Sequence, residues 1–244
     1  MNILGVIPAR FKSTRFPGKP LVDISGKPMI WWVYKHCIEA NVFSDIVIAT
    51  DDERILQSCK KHNIKAVLTS ENNQTGMDRM GEVALSIKAD IYVDIQGDEP
   101  LLEPNIIAQA VMPMIENPNI QVTNLMTKIT NPSDIINSTI PKVVTCSDGR
   151  CVFLSRSPIP YPKGSLDVPY YKQVCVYGVS PNALDLFYKY GKKYGKSSIE
   201  QIEDIELLRF VELDIPVYFI EVESNSIAVD TPKDLEKVRE ILAI

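Results

Sequence analysis

DIVIATDDERILQSCKKHNIKAVL, residues 45–68, is the stretch that most clearly indicates the fold class. The β-branched run at 45–50 predicts a strand, the spacing of apolar residues at 52–62 predicts a helix, and 65–68 predicts a second strand. The same alternation continues on both sides, with strands predicted at 3–7 and 90–95 and helices at 28–40 and 78–88. Strands separated by such helices form βαβ crossovers, so residues 1–110 predict an α/β, Rossmann-like sandwich around a parallel sheet.

After about residue 120 the pattern changes to shorter strands broken by the turn sequences NPSD, SDGR and SPIPYPKG. These breaks favour hairpins and extended arms, and natural proteins commonly cover or pair exposed strand edges. We therefore expect one domain, 1–244, with an inserted strand-rich dimerisation region at about 120–180. The remaining predicted elements are strands at 121–128, 142–145, 151–155, 173–179 and 217–222, and helices at 199–212 and 231–242.

Composition excludes several classes of protein. The 244 residues are 45% hydrophobic, with 26 Lys and Arg against 31 Asp and Glu, which excludes a disordered chain and argues against coating of nucleic acid. Five cysteines without a C-x-x-C pair predict neither a disulfide framework nor a zinc ribbon. No signal peptide or run of about 20 apolar residues is apparent, so we expect a cytoplasmic protein that does not enter a membrane.

The loop after the first predicted strand, IPARFKSTRFPGKPL (residues 7–21), concentrates positive charge in an acidic chain. It contains Arg10, Lys12, Arg15 and Lys19. A loop at the carboxyl end of a parallel strand lies at the ligand-binding edge of the sheet, where several cations can surround a polyphosphate. Neither G-x-G-x-x-G nor the P-loop motif is present, which argues against nicotinamide dehydrogenases and P-loop enzymes.

Two carboxylates from distant parts of the chain are candidates for a metal site, one in the turn after a predicted strand and one just before a predicted helix. Asp98 lies in DIQGDEP (residues 94–100), and Asp230 lies in IAVDTP (residues 227–232). Mg²⁺ prefers one or two carboxylates together with phosphate oxygens and water. An acidic surface turn at Asp98 and a helix N-cap at Asp230 are the alternatives for each residue taken alone.

Several motifs together identify a family resemblance. The sequence resembles bacterial 3-deoxy-manno-octulosonate (Kdo) cytidylyltransferases, the CMP-Kdo synthetases, over essentially its whole length. The first motif is shared loosely with sialic-acid cytidylyltransferases, whereas QGDEP, SRSPIP and E-Q-I-E are typical of the Kdo branch. In chain order the motifs are IPARFKSTRFPGKPL, ATDDERI, TGMDRMGE, QGDEP, SRSPIP, SIEQIEDIELLRFVE and VDTPKDLEKV.

The resemblance implies a three-layer nucleotidyltransferase sandwich, a homodimer, and transfer of CMP from CTP to the anomeric hydroxyl of a 3-deoxy-2-ulosonic acid. Pyrophosphate would be released, and the product would supply lipopolysaccharide or capsule synthesis. Mg²⁺ would be held by Asp98 and Asp230. The catalytic residues implied are Arg10, Arg15, Lys19, Asp98 and Asp230. The nucleotide-binding residues implied are Ala9, Arg10, Ser13, Lys19, Thr75 and Arg79.

For the sugar, the resemblance implies that the inserted region at about 120–180 takes part in binding. The contacts implied are from Gln96, Arg156, Gln173, Tyr177, Glu200 and Gln201. Arg156 is expected to bind the ulosonic carboxylate through two parallel hydrogen bonds. Gln173 stands where the family usually has His, and Cys175 stands where it usually has Gly. The substrate is therefore either Kdo or a modified acid such as 8-amino-Kdo.

Two further functions are alternatives. A non-catalytic nucleotide-binding regulator would be expected to lose Asp98, Asp230 or Lys19, and the sequence retains all three. A sugar-1-phosphate nucleotidyltransferase on a similar sheet is disfavoured by SRSPIP and E-Q-I-E.

Overall fold

A computed structural model describes residues 1–12, 16–164, 168–224 and 226–242. The strands are β1 Ile3–Ala9, β2 Asp23–Ile24, β3 Lys27–Pro28, β4 Asp45–Thr50, β5 Ala66–Leu68, β6 Ile91–Ile95, β7 Val122–Lys128, β8 Lys142–Thr145, β9 Cys151–Ser155, β10 Tyr171–Val179 and β11 Val217–Glu221. The helices are α1 Met29–Glu39, α2 Glu53–Lys61, α3 Gly76–Ser86, α4 Pro104–Gln109, α5 Met112–Glu116, α6 Pro132–Ile135, α7 Pro181–Tyr194, α8 Ser198–Glu203, α9 Leu208–Glu212 and α10 Pro232–Leu242.

The main sheet has the strand order β11-β7-β10-β6-β1-β4-β5. Strand β1 lies between β6 and β4 and runs parallel to both, and β4 runs parallel to β5. The parallel sheet predicted for the first 110 residues is confirmed. Strand β10 is antiparallel to both β6 and β7, so the sheet as a whole is mixed.

Alternating side chains of β1 enter two different apolar cores. Ile3 and Ile7 pack in one core with residues of α1 and α2, while Leu4 and Val6 pack in the other with residues of α3 and α7. Because successive side chains of a strand point to opposite faces, the sheet is covered by helices on both sides. The predicted three-layer α/β sandwich is confirmed.

The strand-rich region at 120–180 is less separate from the main sheet than the sequence predicted. Strands β7 and β10 lie inside the sheet, and their side chains Val122, Leu125 and Val176 are fully buried. The branch outside the main strand order is β8, which pairs with β10, followed by β9, which pairs with β8. Half of the predicted arm thus completes the central sheet. The dimerisation role of the region stays a prediction.

The prediction of a single helix at 199–212 is wrong, because the structure has two short helices there. Helix α8 ends at Glu203 and is followed by Asp204, whose backbone adopts a left-handed conformation with φ 50°. The chain then turns before α9 begins. Apolar spacing continued across the break, so the sequence pattern did not reveal it. Among the helices that the structure describes, none is long and apolar enough to cross a membrane.

Candidate active site

The carboxyl ends of β1 and β6 meet at one edge of the sheet, and the turn after β6 packs directly on β1. A Cβ atom at Gly97 would lie 2.8 Å from the carbonyl oxygen of Pro8, so this close approach requires glycine. Gly97 therefore lets the QGDEP segment fold against β1. This places Asp98 beside the basic loop that follows β1.

Lys19 links the two carboxylates that the sequence predicted as metal ligands. Its Nζ donates to Asp98 Oδ2 at 2.6 Å and to Asp230 Oδ1 at 3.3 Å. The backbone N–H of Val229 donates to the carbonyl of Asp98 at 2.8 Å, which fixes the two segments against each other. The side chains of Asp98 and Asp230 are 28% and 33% exposed, so a ligand can reach both.

The loop backbone explains where the Lys19 side chain lies. Gly18 adopts φ 71°, a left-handed conformation that glycine accepts without strain, and its N–H donates to the carbonyl of Phe11 at 2.9 Å. Lys19 then begins a short 3-10 turn. Arg10 is exposed at the end of β1, next to buried Ala9. Two predicted residues of this loop, Ser13 and Arg15, lie outside the described residues.

The donor set at this edge fits Mg²⁺. Asp98 and Asp230 offer hard carboxylate oxygens, the ligand type that Mg²⁺ prefers when substrate phosphates and water complete its coordination. Among the described residues, no group of three or more His, Cys, Asp and Glu side chains could hold a metal ion. Substrate oxygens would therefore have to complete the site.

The predicted nucleotide side of the site begins at α3. Thr75 caps this helix, since its Oγ1 accepts from the N–H of Asp78 at 3.0 Å while Asp78 Oδ2 accepts from the N–H of Thr75 at 3.2 Å. Arg79 is buried and donates to Asp51 Oδ2 at 3.0 Å and to Thr69 Oγ1. It ties together the loops after β4 and β5. The nucleotide-binding roles of Thr75 and Arg79 stay predictions.

The predicted sugar side includes neighbouring residues of β6 and β10. Tyr177 is paired with Asp94 across the two strands, and the N–H of Gln96 donates to the carbonyl of Cys175 at 3.3 Å. Gln173 Nε2 donates to Asn124 Oδ1 at 3.1 Å and lies 3.5 Å from Tyr177 Oη. Burial raises the pKa of Tyr177 well above its ordinary value, which keeps the phenol protonated.

Sequence reasoning missed two acids on this side, Asp94 and Glu206. Gln96 Nε2 donates to Asp94 Oδ1 at 3.0 Å and to Glu206 Oε1 at 3.3 Å. Glu206 Oε2 accepts from the N–H of Met77, at the start of α3, at 3.0 Å. Burial raises the pKa of Glu206 to about 7 and that of Asp94 well above its ordinary value. One signal was available, because Asp94 is a charged residue in the apolar strand IYVDI.

The contacts of Arg156 differ from those predicted, because most of its guanidinium N–H groups already donate to backbone carbonyls. Nε donates to Glu203 at 2.5 Å, Nη1 donates to Ser138 at 3.0 Å and Thr139 at 3.2 Å, and Nη2 donates to Asp204 at 2.9 Å. A guanidinium has five N–H donors. In this conformation Arg156 therefore cannot offer the two parallel donors expected for a carboxylate, and instead it binds two segments of backbone, 138–139 and 203–204.

Glu200 and Gln201 also differ from the predicted sugar contacts. Glu200 is fully buried, and its carboxylate accepts from Arg209 Nε and Nη2 at 2.7 Å each. Arg209 also donates to Asp78 Oδ1 at 2.5 Å. Gln201 is exposed on α8. The structure therefore gives Glu200 a buried ion pair, and the acid that reaches Gln96 is Glu206.

Comparisons with known proteins agree with this fold. A family model described as cytidylyltransferase matches residues 4–220. The chain belongs to the cytidylyltransferase family. It is therefore an enzyme of the nucleotidyltransferase class.

Curated relatives match over their full length. The chain is 40% identical to a 3-deoxy-manno-octulosonate cytidylyltransferase of Geobacter sulfurreducens, over 99% of this chain and 100% of that protein. It is 39% identical to the protein of the same name from Chloroherpeton thalassium, over 100% of this chain and 98% of that protein.

Solved structures give the same result. A structure of CMP:2-keto-3-deoxy-manno-octonic acid synthetase complexed with CTP superposes with a TM-score of 0.92 at 35% identity, covering 100% of this chain and 99% of that chain. A 4-diphosphocytidyl-2C-methyl-D-erythritol synthase from Anaerococcus prevotii has a TM-score of 0.66 at 13% identity, with 100% and 99% coverage. The second likeness is one of fold alone.

Proposed function

We propose that this enzyme transfers CMP from CTP to the anomeric hydroxyl of Kdo or a closely related ulosonic acid and releases pyrophosphate. One structural observation carries the proposal. Lys19, Asp98 and Asp230 converge at the ligand-binding edge of the sheet, with Lys19 Nζ 2.6 Å and 3.3 Å from the two carboxylates. Full-length relatives with the name of this activity support the same reaction.

The reaction is an in-line displacement at the α-phosphorus of CTP. The anomeric oxygen of the sugar forms a bond to phosphorus, the bond to the bridging oxygen breaks, and the hydroxyl loses its proton. Such transfers depend on positioning and charge neutralisation rather than on a covalent intermediate. Lys19 supplies a fixed positive charge beside the triphosphate, and Arg10 adds a second cation at the end of β1.

Asp98 and Asp230 would hold Mg²⁺. When bound, the ion neutralises the phosphates and lowers the pKa of the attacking hydroxyl. Both carboxylates accept hydrogen bonds from Lys19, and the N–H of Val229 fixes the two segments against each other, so little reorganisation is needed to hold a cation there. On the sugar side, Gln96 and Tyr177 offer neutral polar groups beside two carboxyl groups.

The assembly, location and product of the enzyme are part of the same proposal. We propose that the enzyme works as a homodimer in the cytoplasm and that its product is the activated sugar for lipopolysaccharide or capsule synthesis. All five cysteines of the sequence lie within the described residues and are free thiols, which fits a reducing compartment.

The test is pyrophosphate release by the purified protein with CTP, Mg²⁺ and Kdo, compared with the same mixture without sugar. We expect release that requires the sugar. Binding of CTP without sugar-dependent release would overturn the proposal and favour a non-catalytic nucleotide-binding regulator.

A further inference from the structure

Lys196 and Asp204 form an ion pair to which the proposed function gives no role. Lys196 Nζ donates to Asp204 Oδ1 at 2.6 Å. The side chain of Lys196 is 25% exposed, whereas that of Asp204 is 72% exposed. In an ordinary surface ion pair both side chains project into water. Here the lysine is largely covered by the protein, while the carboxylate that accepts its hydrogen bond is open to solvent.

The backbone of Lys196 is attached to the predicted nucleotide side of the site. Its N–H donates to Gln74 Oε1 at 3.2 Å, directly after Gly195 has turned the chain with φ 79°. Gln74 immediately precedes Thr75, which caps α3. The loop that follows α7 is therefore fixed beside the start of α3.

Asp204 lies on the predicted sugar side, in the turn between α8 and α9. Two residues later, Glu206 accepts from the N–H of Met77 at 3.0 Å and from Gln96 Nε2 at 3.3 Å. This turn is thus held between the start of α3 and the end of β6. The ion pair between Lys196 and Asp204 therefore joins the two sides of the site.

Two further cations act on the Asp204 carboxylate. Arg156 Nη2 lies 4.0 Å from Asp204 Oδ2 and donates to the backbone carbonyl of Asp204 at 2.9 Å. The pKa of Asp204 is lowered chiefly by the hydrogen bond from Lys196, and burial opposes this shift. The charges of Lys196, Arg156 and Arg10 lower this pKa further. The position of the Asp204 carboxylate is therefore one at which three positive charges stabilise an anion.

The sugar of the proposed reaction brings a carboxylate that needs a cation. Arg156 has five N–H donors, and four hydrogen bonds to backbone carbonyls leave it one, on Nη2. The Lys196 ammonium group has three donors and faces the same carboxylate as Arg156. Lys196 can therefore supply the contacts that Arg156 cannot.

We propose that Lys196 binds the carboxylate of the ulosonic acid, and that the Asp204 carboxylate occupies this position in the free enzyme. The inference rests on the proposed function, because it assigns a residue to the second substrate of that reaction. Binding exchanges one carboxylate for another at the same ammonium group. Releasing Asp204 into water costs little, because its side chain is already largely exposed.

The experiment measures KM for Kdo at saturating CTP, and KM for CTP at saturating Kdo, by pyrophosphate release. Lys196→Met should raise KM for the sugar by about tenfold, the scale of one hydrogen bond to a charged group, and change KM for CTP by less than about twofold. Lys193→Met makes the same charge change at an exposed position of α7 and should alter neither value.

Asp204→Asn should have the opposite effect and lower KM for the sugar by about two- to threefold, because it removes the competing carboxylate of an exposed ion pair. Asparagine also accepts the left-handed backbone of this position. If the pair were only structural, loss of either member would remove the same contact, and the two variants would change in the same direction.

A rise in KM for the sugar in both variants would therefore overturn the inference. An unchanged KM for the sugar in Lys196→Met, or a rise in KM for CTP instead, would also overturn it. If Lys196→Met fails to fold, Asp204→Asn decides alone, since an unchanged or raised KM for the sugar contradicts the assigned role. Absence of pyrophosphate release by the wild type with Kdo would count against the proposed function itself.

Discussion

Among single residues, Lys19 brings together the carboxylates of Asp98 and Asp230, which lie 79 and 211 positions after it in the sequence. Asp98→Asn and Asp230→Asn each remove one negative charge that would hold Mg²⁺ and should lower kcat by about a hundredfold or more, within the range of lost electrostatic contacts to a transition state. Steady-state kinetics with CTP and sugar measure this. Asp148→Asn, on an exposed turn, is the control with the same charge change.

Thermal melts of these variants should remain close to that of the wild type, because both carboxylates are partly exposed. Full activity in an excess of chelator would contradict the role assigned to the two carboxylates.

Glu206 gives the protein a pH-dependent stability. Its pKa is raised from 4.5 to about 7, chiefly because the carboxyl is buried; the hydrogen bond from the N–H of Met77 and the charge of Arg209 lower the pKa, whereas Asp78 and Glu200 raise it. The protonated acid is favoured in the fold, so its contribution to stability is complete below about pH 4.5 and is lost as pH rises through about 7. Glu206→Gln should therefore raise Tm relative to wild type by about 2–4 °C more at pH 8 than at pH 5.

Differential scanning calorimetry at the two pH values measures this difference. Glu53→Gln, at the exposed start of α2, is the control and should show no such trend. A Glu206→Gln effect that is the same at pH 5 and pH 8 would show that this carboxyl titrates normally.

At the scale of elements, Arg209 connects α3, α8 and α9. The guanidinium is fully buried and pairs with Asp78 on α3 and Glu200 on α8. Removing one member of a buried charge network leaves the other members uncompensated, which costs about 3–5 kcal/mol. Arg209→Met should therefore lower the free energy of unfolding by about that amount in urea titrations.

Lys189→Met, on the exposed face of α7, removes a surface ion pair and should change the same free energy by less than about 1 kcal/mol. Equal effects of the two substitutions would mean that the Arg209 network does not hold these helices together.

The elements show which parts of the fold a sequence can predict. The unit at 45–68 was predicted almost residue for residue, with β4, α2 and β5 observed at 45–50, 53–61 and 66–68. Its periodicity is local, so the pattern alone specifies it. The central positions of β7 and β10 were not predicted, because strand order depends on long-range pairing. Helix α7 was also missed, although Ser180 caps it by accepting from the N–H of Ala183.

The candidate site likewise has one part that the sequence predicted and one part that it did not. Lys19 and Asp98 follow β1 and β6, and the carboxyl ends of parallel strands converge at one edge. Asp230 lies just before α10, and the family resemblance placed it in the same site. Glu200 and Glu206 lie in one acidic segment, and the sequence does not tell which of them faces the sugar side. The turn at Asp204 and the burial of Arg209 against Glu200 decide this, and both are properties of the folded chain.

At the scale of the whole molecule, the branch formed by β8 and β9 is the best candidate for a dimer interface. Val152 on β9 is 52% exposed, and Ile136 and Tyr161 in the same region are 75% and 87% exposed. Contiguous exposed apolar patches mark interaction surfaces, which makes this region of the chain the candidate to test. We predict a homodimer at micromolar concentration in sedimentation velocity, and Val152→Glu should shift it towards monomer.

Leu186→Glu is the matched control, since Leu186 on α7 is 53% exposed outside this region. A wild-type protein that sediments as a monomer would refute the predicted dimer. Dissociation by Leu186→Glu with no effect of Val152→Glu would place the interface on α7.

In the proposed reaction, the anomeric oxygen of an ulosonic acid attacks the α-phosphorus of CTP at the edge where Lys19, Asp98 and Asp230 meet. The most direct measurement uses sugar labelled with ¹⁸O at the anomeric hydroxyl, with mass spectrometry of both products. We predict one label in the CMP-sugar and none in the pyrophosphate, with the two products formed in equal amounts. Release of CDP and phosphate, or of pyrophosphate with unlinked CMP, would contradict this account.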